Sequence, residues 1–484
     1  MIIFGTLSIS VDTKYLLLAP FLKEVKNIDK LNNKPIFYSN DFSPVVNKVI
    51  ERRIGDENDR IAETEKVANE LKGTKRLVYF PTVTLLNKFI NNSSSFDTKP
   101  NGSDVLDEFV EWASNEIHEE WSILKALKKG VLVHHGQLPL GVRMLQLELF
   151  DNPDSGYDIM LCTSTLLEGV NTACENIIIT KPARNKTEFD AFDFFNLVGR
   201  TGRLCKYYLG TAYYIRGNND REYRKEEALK SIEFELTDNS IDMDINSEKY
   251  RDHPEFVSFL KEMGISYDDY IKHFATQFRY KTVKSMYDRF KQHKIDLYQE
   301  ISFMLKSDKP TKLHIIRAIY KIIEENQYNV PIRTFIINIL TYKNTMSIRS
   351  IIEKVRRTYQ KADIDLIISE VLKLKNSYVE YDFYKKTEAI LYFMKLDNAS
   401  EYLIKPIEED ILKVIEKKYF MNSPGKKMLK DMGVYDKDVN IISNQIGENV
   451  NSIDELQLKI KENYEKIMPK ISIISQFIIN RLVN

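Results

Sequence analysis

A chain of 484 residues is long enough for about three domains of ordinary size. Hydrophobic residues at 43% and charged residues at 29% exclude a disordered chain and a membrane-embedded one. Lys plus Arg and Asp plus Glu both number 70, so no overall basic field draws in nucleic acid, and any such binding must come from local patches.

Residues 1–35 hold one buried-looking strand at 14–20, KYLLLAP, followed by a polar helix reaching Lys30. Residues 36–75 read as a polar lead-in with a helix over 60–72. From Arg76 the pattern becomes regular. A short apolar run, RLVYF, stops at Pro81; a helix is expected over 83–89, a loop over 91–103, and a long amphipathic helix or helix pair over 105–128. Next come a strand at 130–135, a helix at 141–150, strands at 158–163 and 176–180, a helix at 188–198 and a strand at 210–215. Short apolar strands alternating with helices imply a parallel sheet covered on both faces. Nine of the 17 glycines lie between Gly130 and Gly217, and only Gly264, Gly425, Gly433 and Gly447 follow. Turn-rich α/β structure therefore gives way to helices, expected at 221–236, 253–263, 267–274 and onward to the C-terminus.

Three cysteines, Cys162, Cys174 and Cys205, form no CxxC pair. With no secretory signal at the apolar N-terminus they read as reduced thiols of a cytoplasmic protein, and no spacing suits a zinc site, so no metal is expected. The run ISIISQFII at 471–479 is too short and interrupted to span a bilayer and reads as a core-facing helix, leaving no membrane partner.

Ligands of an open α/β sheet collect at the carboxyl ends of its strands. There this chain puts Pro81 and Thr82, then His135 and Gly136, then Thr163, Ser164 and Thr165. Small and hydroxyl side chains let a sugar–phosphate backbone approach main-chain N–H groups. A bland reading makes His134 and His135 one core and one capping histidine. Further on, LLEGVN at 166–171 is a tight turn with Gly169 as its flexible point. The apolar segment FDFFNLV ends in GRTGR at 199–203, where Arg200 and Arg203 supply two guanidinium groups able to clamp phosphate oxygens. In the helical region, RYKTVKSMYDRFKQHK at 279–294 has six basic residues against one acidic, with Tyr280, Tyr287 and Phe290 interleaved, and 354–361 is a second basic face. Both read more readily as solvated faces than as strand tracks.

In their order and wording, VHHGQLP, TSTLLEGVN and GRTGR resemble motifs IVa, V and VI of superfamily-two helicases, in the Ski-type (superkiller-like) branch related to the DEAD and DExH enzymes. The resemblance covers residues 76–216, which would form the C-terminal half of such an enzyme. It implies a RecA-like doubly wound parallel sheet over 36–218, followed by an all-α C-terminal region divided into 219–400 and 401–484. Residues 1–35 would be the remnant of a preceding RecA-like domain or a lead-in to this one. Thr82, His135, Gly136, Thr163, Ser164 and Thr165 would face a single-stranded or partly duplex nucleic acid. Gly169, Asn171, Arg200 and Arg203 would face the nucleotide, the two arginines acting as catalytic fingers on the γ-phosphoryl group.

The chain departs from that family in places. Leu18, Ala19 and Pro20 stand where Ser-Ala-Thr is usual, Asn196 replaces a glutamine or histidine, and Glu168 excludes the DEAD-box form of motif V. No GxxxxGK[ST] and no DEAD or DExH box occurs, so motifs I and II are absent; SPGKK at 423–427 lacks the first glycine. ATP and Mg²⁺ would then bind only together with a P-loop domain supplied in cis or in trans, and this chain alone would be inactive. An alternative is a non-catalytic nucleic-acid-binding module that keeps the fold; a third is an unrelated α/β domain for a small ligand.

Overall fold

The structure is a computed structural model describing residues 22–26, 45–94, 96, 104–166, 174–202, 206–233, 251–275, 277–307, 312–323, 347–419, 423–447 and 449–483. Its α/β unit is a six-stranded, all-parallel sheet in the order β2-β9-β6-β3-β5-β4. The strands are β2 (Val46–Arg53), β3 (Arg76–Tyr79), β4 (Leu132–His134), β5 (Ile159–Cys162), β6 (Asn176–Ile179) and β9 (Leu209–Arg216). Every residue of β3, β4, β5 and β6 is buried, as continuous apolar runs require when helices cover both faces.

Helices α1 (Arg60–Glu70), α2 (Val83–Asn92), α3 (Asp104–Glu116), α4 (Ser122–Lys128), α5 (Leu140–Asp151) and α6 (Ala191–Val198) make the connections. Crossovers β2→β3 and β3→β4 run one way along the sheet, β4→β5 and β6→β9 the other. Right-handed connections therefore set α1 and α2 on one face and α5 and α6 on the opposite one. Alternation along β3 agrees: Phe80 meets Phe89 of α2, while Tyr79 on the other face meets Phe189 just before α6. This is the doubly wound α/β class expected from periodicity, followed by a region whose described elements from Pro254 onward are all helices.

Several expectations are corrected. The polar lead-in contains the edge strand β2, whose half-exposed, charged sequence VNKVIERR hides its pairing with β9 from Val46–Leu209 to Arg53–Arg216. The polar helix expected before Lys30 is instead a strand, β1 (Leu22–Lys26), paired in parallel with β10 (Lys230–Glu233). No helix spans 221–236; a single turn at Lys225–Ala228 and then β10 occupy it. The segment over 105–128 resolves into the pair α3 and α4. Between β6 and α6 lies a hairpin, β7 (Ala183–Arg184) with β8 (Thr187–Glu188), too short to show periodicity. The expected strand at 14–20 lies outside the described residues.

The helices pack on the α/β unit through α3 and α5. Trp112 meets the edge of Tyr435 at 5.4 Å, and the Tyr435 hydroxyl donates to Glu116 at 2.7 Å. Gly433 approaches Gly141 at the start of α5 so closely that a β-carbon on Gly141 would lie 2.6 Å from its carbonyl oxygen. The helix Ile473–Val483 buries Ile474, Ile478 and Ile479, so the 471–479 run is core-facing as expected. Among the described residues no helix is long and apolar enough to cross a membrane. The basic face of Tyr280–Lys306 is committed within the fold. Lys284 pairs with Glu255, Lys291 with Glu262 and Lys294 with Asp397, Arg289 donates to the Ile322 and Ile323 carbonyls, and Tyr280 and Phe290 are buried. It therefore offers no aromatic–basic track of the kind a strand would follow.

Candidate functional site

Parallel strands bring their carboxyl ends to one edge, and β3, β5 and β4 are neighbours there. Thr82 follows β3 as the N-cap of α2, its hydroxyl accepting from the Leu85 N–H at 3.2 Å. Beyond β4, His134 and His135 are both buried, and the His134 carbonyl accepts from the Thr163 N–H at 3.3 Å. Gly136 abuts Thr165: a β-carbon there would lie 2.7 Å from the threonine methyl. Thr82, His135, Gly136, Thr163, Ser164 and Thr165 thus line three consecutive strand ends, the last two half-buried and Gly136 exposed.

The electrostatics of this edge are unusual. His134 Nδ1, His135 Nδ1, Gln137 Oε1 and Thr165 Oγ1 are buried and have no hydrogen-bond partner among the described residues. Native proteins rarely leave such groups unmet unless a ligand or water completes them. Burial, then the nearby Arg143 guanidinium, pushes His134 down to about 4. Burial, then His134 and Arg143, pushes His135 down to about 3. Both imidazoles are therefore neutral at physiological pH and keep one acceptor nitrogen each.

Arg143, on the first turn and a half of α5, is the residue that sequence reasoning missed. It is half-buried, its Nε lacks a partner among the described residues, and burial alone lowers its pKa. A guanidinium stays charged even so. The signal that could have found it is position: it lies eight residues beyond His135, one helical turn into the helix that VHHGQLP introduces. Beside this edge the β7–β8 hairpin is tied down by the Asn185 N–H donating to the Pro81 carbonyl at 3.1 Å, and it exposes Arg184 and Lys186.

The described part of GRTGR, Gly199 to Gly202, lies at the opposite edge. Thr201 bridges Cys174, which precedes β6, and Gly202 donates to the Cys174 carbonyl at 2.9 Å. Gly210, early in β9, has no room for a β-carbon, since Thr201 would stand 2.4 Å away, and Gly202 takes φ +72°. These glycines hold the turn against the amino ends of the strands and bring Arg200 there, half-buried, with burial lowering its pKa. Arg203, Gly169, Asn171 and Cys205 lie outside the described residues. Cys162 and Cys174 are buried free thiols whose pKa burial pushes far up, so neither is a thiolate.

No family model matches the chain. Among curated proteins it is 25% identical over 241 residues to Anti-bacteriophage protein B of Escherichia coli (strain K12), covering 49% of this chain and 31% of that protein. It is 33% identical over 119 residues to Hachiman protein HamB of Bacillus cereus, covering 24% of this chain and 10% of that one. The chain thus spans less than a third of the length of either curated relative. A solved structure, described as domain 2 of a DEAD-box helicase bound to an RNA duplex, overlaps 47% of this chain and 78% of its own at 15% identity, with a TM-score of 0.25.

Proposed function

We propose that this chain carries the second RecA-like domain of a Ski-type helicase or translocase, gripping a nucleic-acid strand at the carboxyl edge of its sheet. Arg200, at the amino edge, and Arg203, three positions further on, would reach ATP and Mg²⁺ held by a P-loop domain supplied in cis or in trans. The Escherichia coli relative is named for action against bacteriophage, and the same setting is proposed for this chain.

The observation that supports the strand reading best is the set of buried polar atoms at this edge with no partner among the described residues, with the Arg143 guanidinium close enough to act on His134 and His135. A phosphodiester would bring negative charge to the guanidinium and acceptor oxygens to the threonine hydroxyls and main-chain N–H groups of the strand ends. Neutral, buried His134 and His135 shape this edge from beneath.

Strand affinity should fall steeply with salt, because each neutralised phosphate releases counterions. Arg143→Gln should flatten the slope of log affinity against log salt by about one, and weaken binding whatever the base sequence. Thr163→Ala with Thr165→Ala should weaken binding at all salt concentrations without changing that slope. Fluorescence anisotropy with an oligonucleotide between low and moderate ionic strength measures both effects. Wild-type affinity in Arg143→Gln, or absence of strand binding at low salt, would remove the assignment of this edge.

A further inference from the structure

Helix α4 begins without a cap of its own, since Trp121 stands at its N-cap position and makes no capping hydrogen bond. The Ser122 N–H is met instead from the helical region, by Asp365 Oδ1 at 2.8 Å. Asp365 is 2% exposed and sits in the first turn of the helix Ile364–Lys373. Its carboxylate therefore faces the amino ends of two helices, one from each unit, where negative charge is favoured. Ser122 passes the contact on. Its hydroxyl donates to Asn87 Oδ1 at 3.1 Å, and Asn87 is buried in α2, five residues after the capping Thr82. Because α4 leads into the amino end of β4, its own start lies toward the carboxyl edge, beside the start of α2.

The loop before α4 is held from the same side. His118 is fully buried, and its Nδ1 accepts the Glu120 N–H at 3.0 Å. That leaves Nε2–H to donate to Glu353, on the helix Ile348–Thr358, at 3.0 Å. Arg349 and Arg356 of the same helix pair with Glu119 and Glu120, but these ion pairs are half-exposed and contribute little. The buried link through Asp365 matters more.

From this chain of buried hydrogen bonds we infer that Asp365 is a positioning residue of the strand site, setting the start of α4 and, through Ser122 and Asn87, the start of α2 with its Thr82. The inference rests on the strand-binding reading above for its ligand, and adds that the helical region builds part of that site. Units of one chain commonly meet over polar surfaces and shift against each other. Here, parting them would strip α4 of its cap and free the Ser122 contact that steadies α2. The α/β unit and the helix Ile364–Lys373 therefore travel as one body, and any closure on a P-loop domain carries both together.

The test measures amide hydrogen exchange over 83–92 and 122–128, and affinity for a DNA single strand, in Asp365→Ala, Asp365→Asn and Ser122→Ala. Asp365→Ala should speed exchange about fivefold to tenfold in both segments, the usual scale of a lost cap. Its strand affinity should fall about threefold, because the binding-ready placement of α2 is less populated. The slope of that affinity against salt should not change, since no phosphate contact is removed. Asp365→Asn keeps the Oδ1 acceptor and should restore both readouts to near wild type. Ser122→Ala keeps the capped main chain and cuts only the link to Asn87, so it decides the matter should Asp365→Ala fail to fold. It should weaken strand binding and speed exchange over 83–92 alone. Unchanged exchange in Asp365→Ala, or an asparagine variant as impaired as the alanine one, overturns the inference. So does wild-type strand affinity in Ser122→Ala. Failure of the strand reading itself shows differently, as wild type binding no strand at low salt.

Discussion

Arg203→Ala, in an enzyme reconstituted with a P-loop domain in cis or in trans, is expected to lower kcat by about 10³-fold or more while moving KM for ATP only slightly. Arg200→Ala should act in the same direction. An arginine finger meets charge that develops as the γ-phosphoryl group transfers, so its loss falls on the transition state more than on the bound nucleotide. Lysine should rescue poorly, because a point charge on a flexible stem does not reproduce the planar fork. Strand affinity without nucleotide should stay nearly unchanged, since the described part of that segment, Gly199 to Gly202, is pinned at the amino edge by Thr201, Gly202 and Gly210, across the sheet from Thr82 and His135. The measurement is steady-state kcat and KM for wild type, Arg203→Ala and Arg203→Lys, with strand binding in parallel. Wild-type turnover in Arg203→Ala, or a matching loss of strand binding, would reduce the pair to structural arginines.

What could be read from the sequence followed the strength of each local signal. β5 is apolar throughout, and β3 and β6 are apolar after their first residues, Arg76 and Asn176; they were legible because full burial leaves no polar alternation to confuse them. β2 was not, because an edge strand exposes one side and this one is rich in charge, including Lys48, Glu51, Arg52 and Arg53. The β1–β10 pair joins residues some two hundred positions apart, a relation no window of periodicity contains. Candidate strand-facing residues were found because they abut recognisable strand ends. Arg143 was passed over because nothing in LGVRMLQLELF distinguishes a helix-surface arginine from one facing buried histidines. The basic helix at 280–306 shows the converse: its charge pattern was visible, but the acidic partners Glu255, Glu262 and Asp397 lie on other elements.

Arg60→Ala should destabilise the α/β unit by about 3–5 kcal/mol, the usual consequence of removing one partner of a buried ion pair. The Arg60 side chain is only 9% exposed and Asp220 only 8%. Its guanidinium donates to Asp220 at 2.6 Å and to Glu57 at 2.6 and 2.9 Å, and also to the carbonyls of Thr180 and Ile215 just past β6 and within β9. One side chain thereby ties α1 to two strand ends, and its removal takes its guanidinium from the buried Asp220 carboxylate, which keeps only the Gly217 N–H and the more distant Lys181 ammonium. The effect should also depend on pH. Burial alone would raise the Asp220 pKa, but the hydrogen bond and charge of Arg60 and the Gly217 N–H outweigh it and hold the carboxyl below its ordinary range. A folded-state pKa below the unfolded one contributes stability above the ordinary carboxylate range, and that contribution is lost as pH falls through the folded value. Arg60→Ala removes two of the causes that hold that pKa down, so it should rise, and the gap between wild type and variant should be widest near neutrality and shrink in acid. Both tryptophans, Trp112 and Trp121, belong to the α/β unit, so urea unfolding followed by their fluorescence at several pH values reports this unit. Arg60→Lys should recover little, since three donors on one nitrogen cannot reach two carboxylates and two carbonyls together. A gap under about 1 kcal/mol at neutral pH would place the pair among surface bridges of little weight, and a gap that does not change with pH would mean Asp220 is not what Arg60 holds.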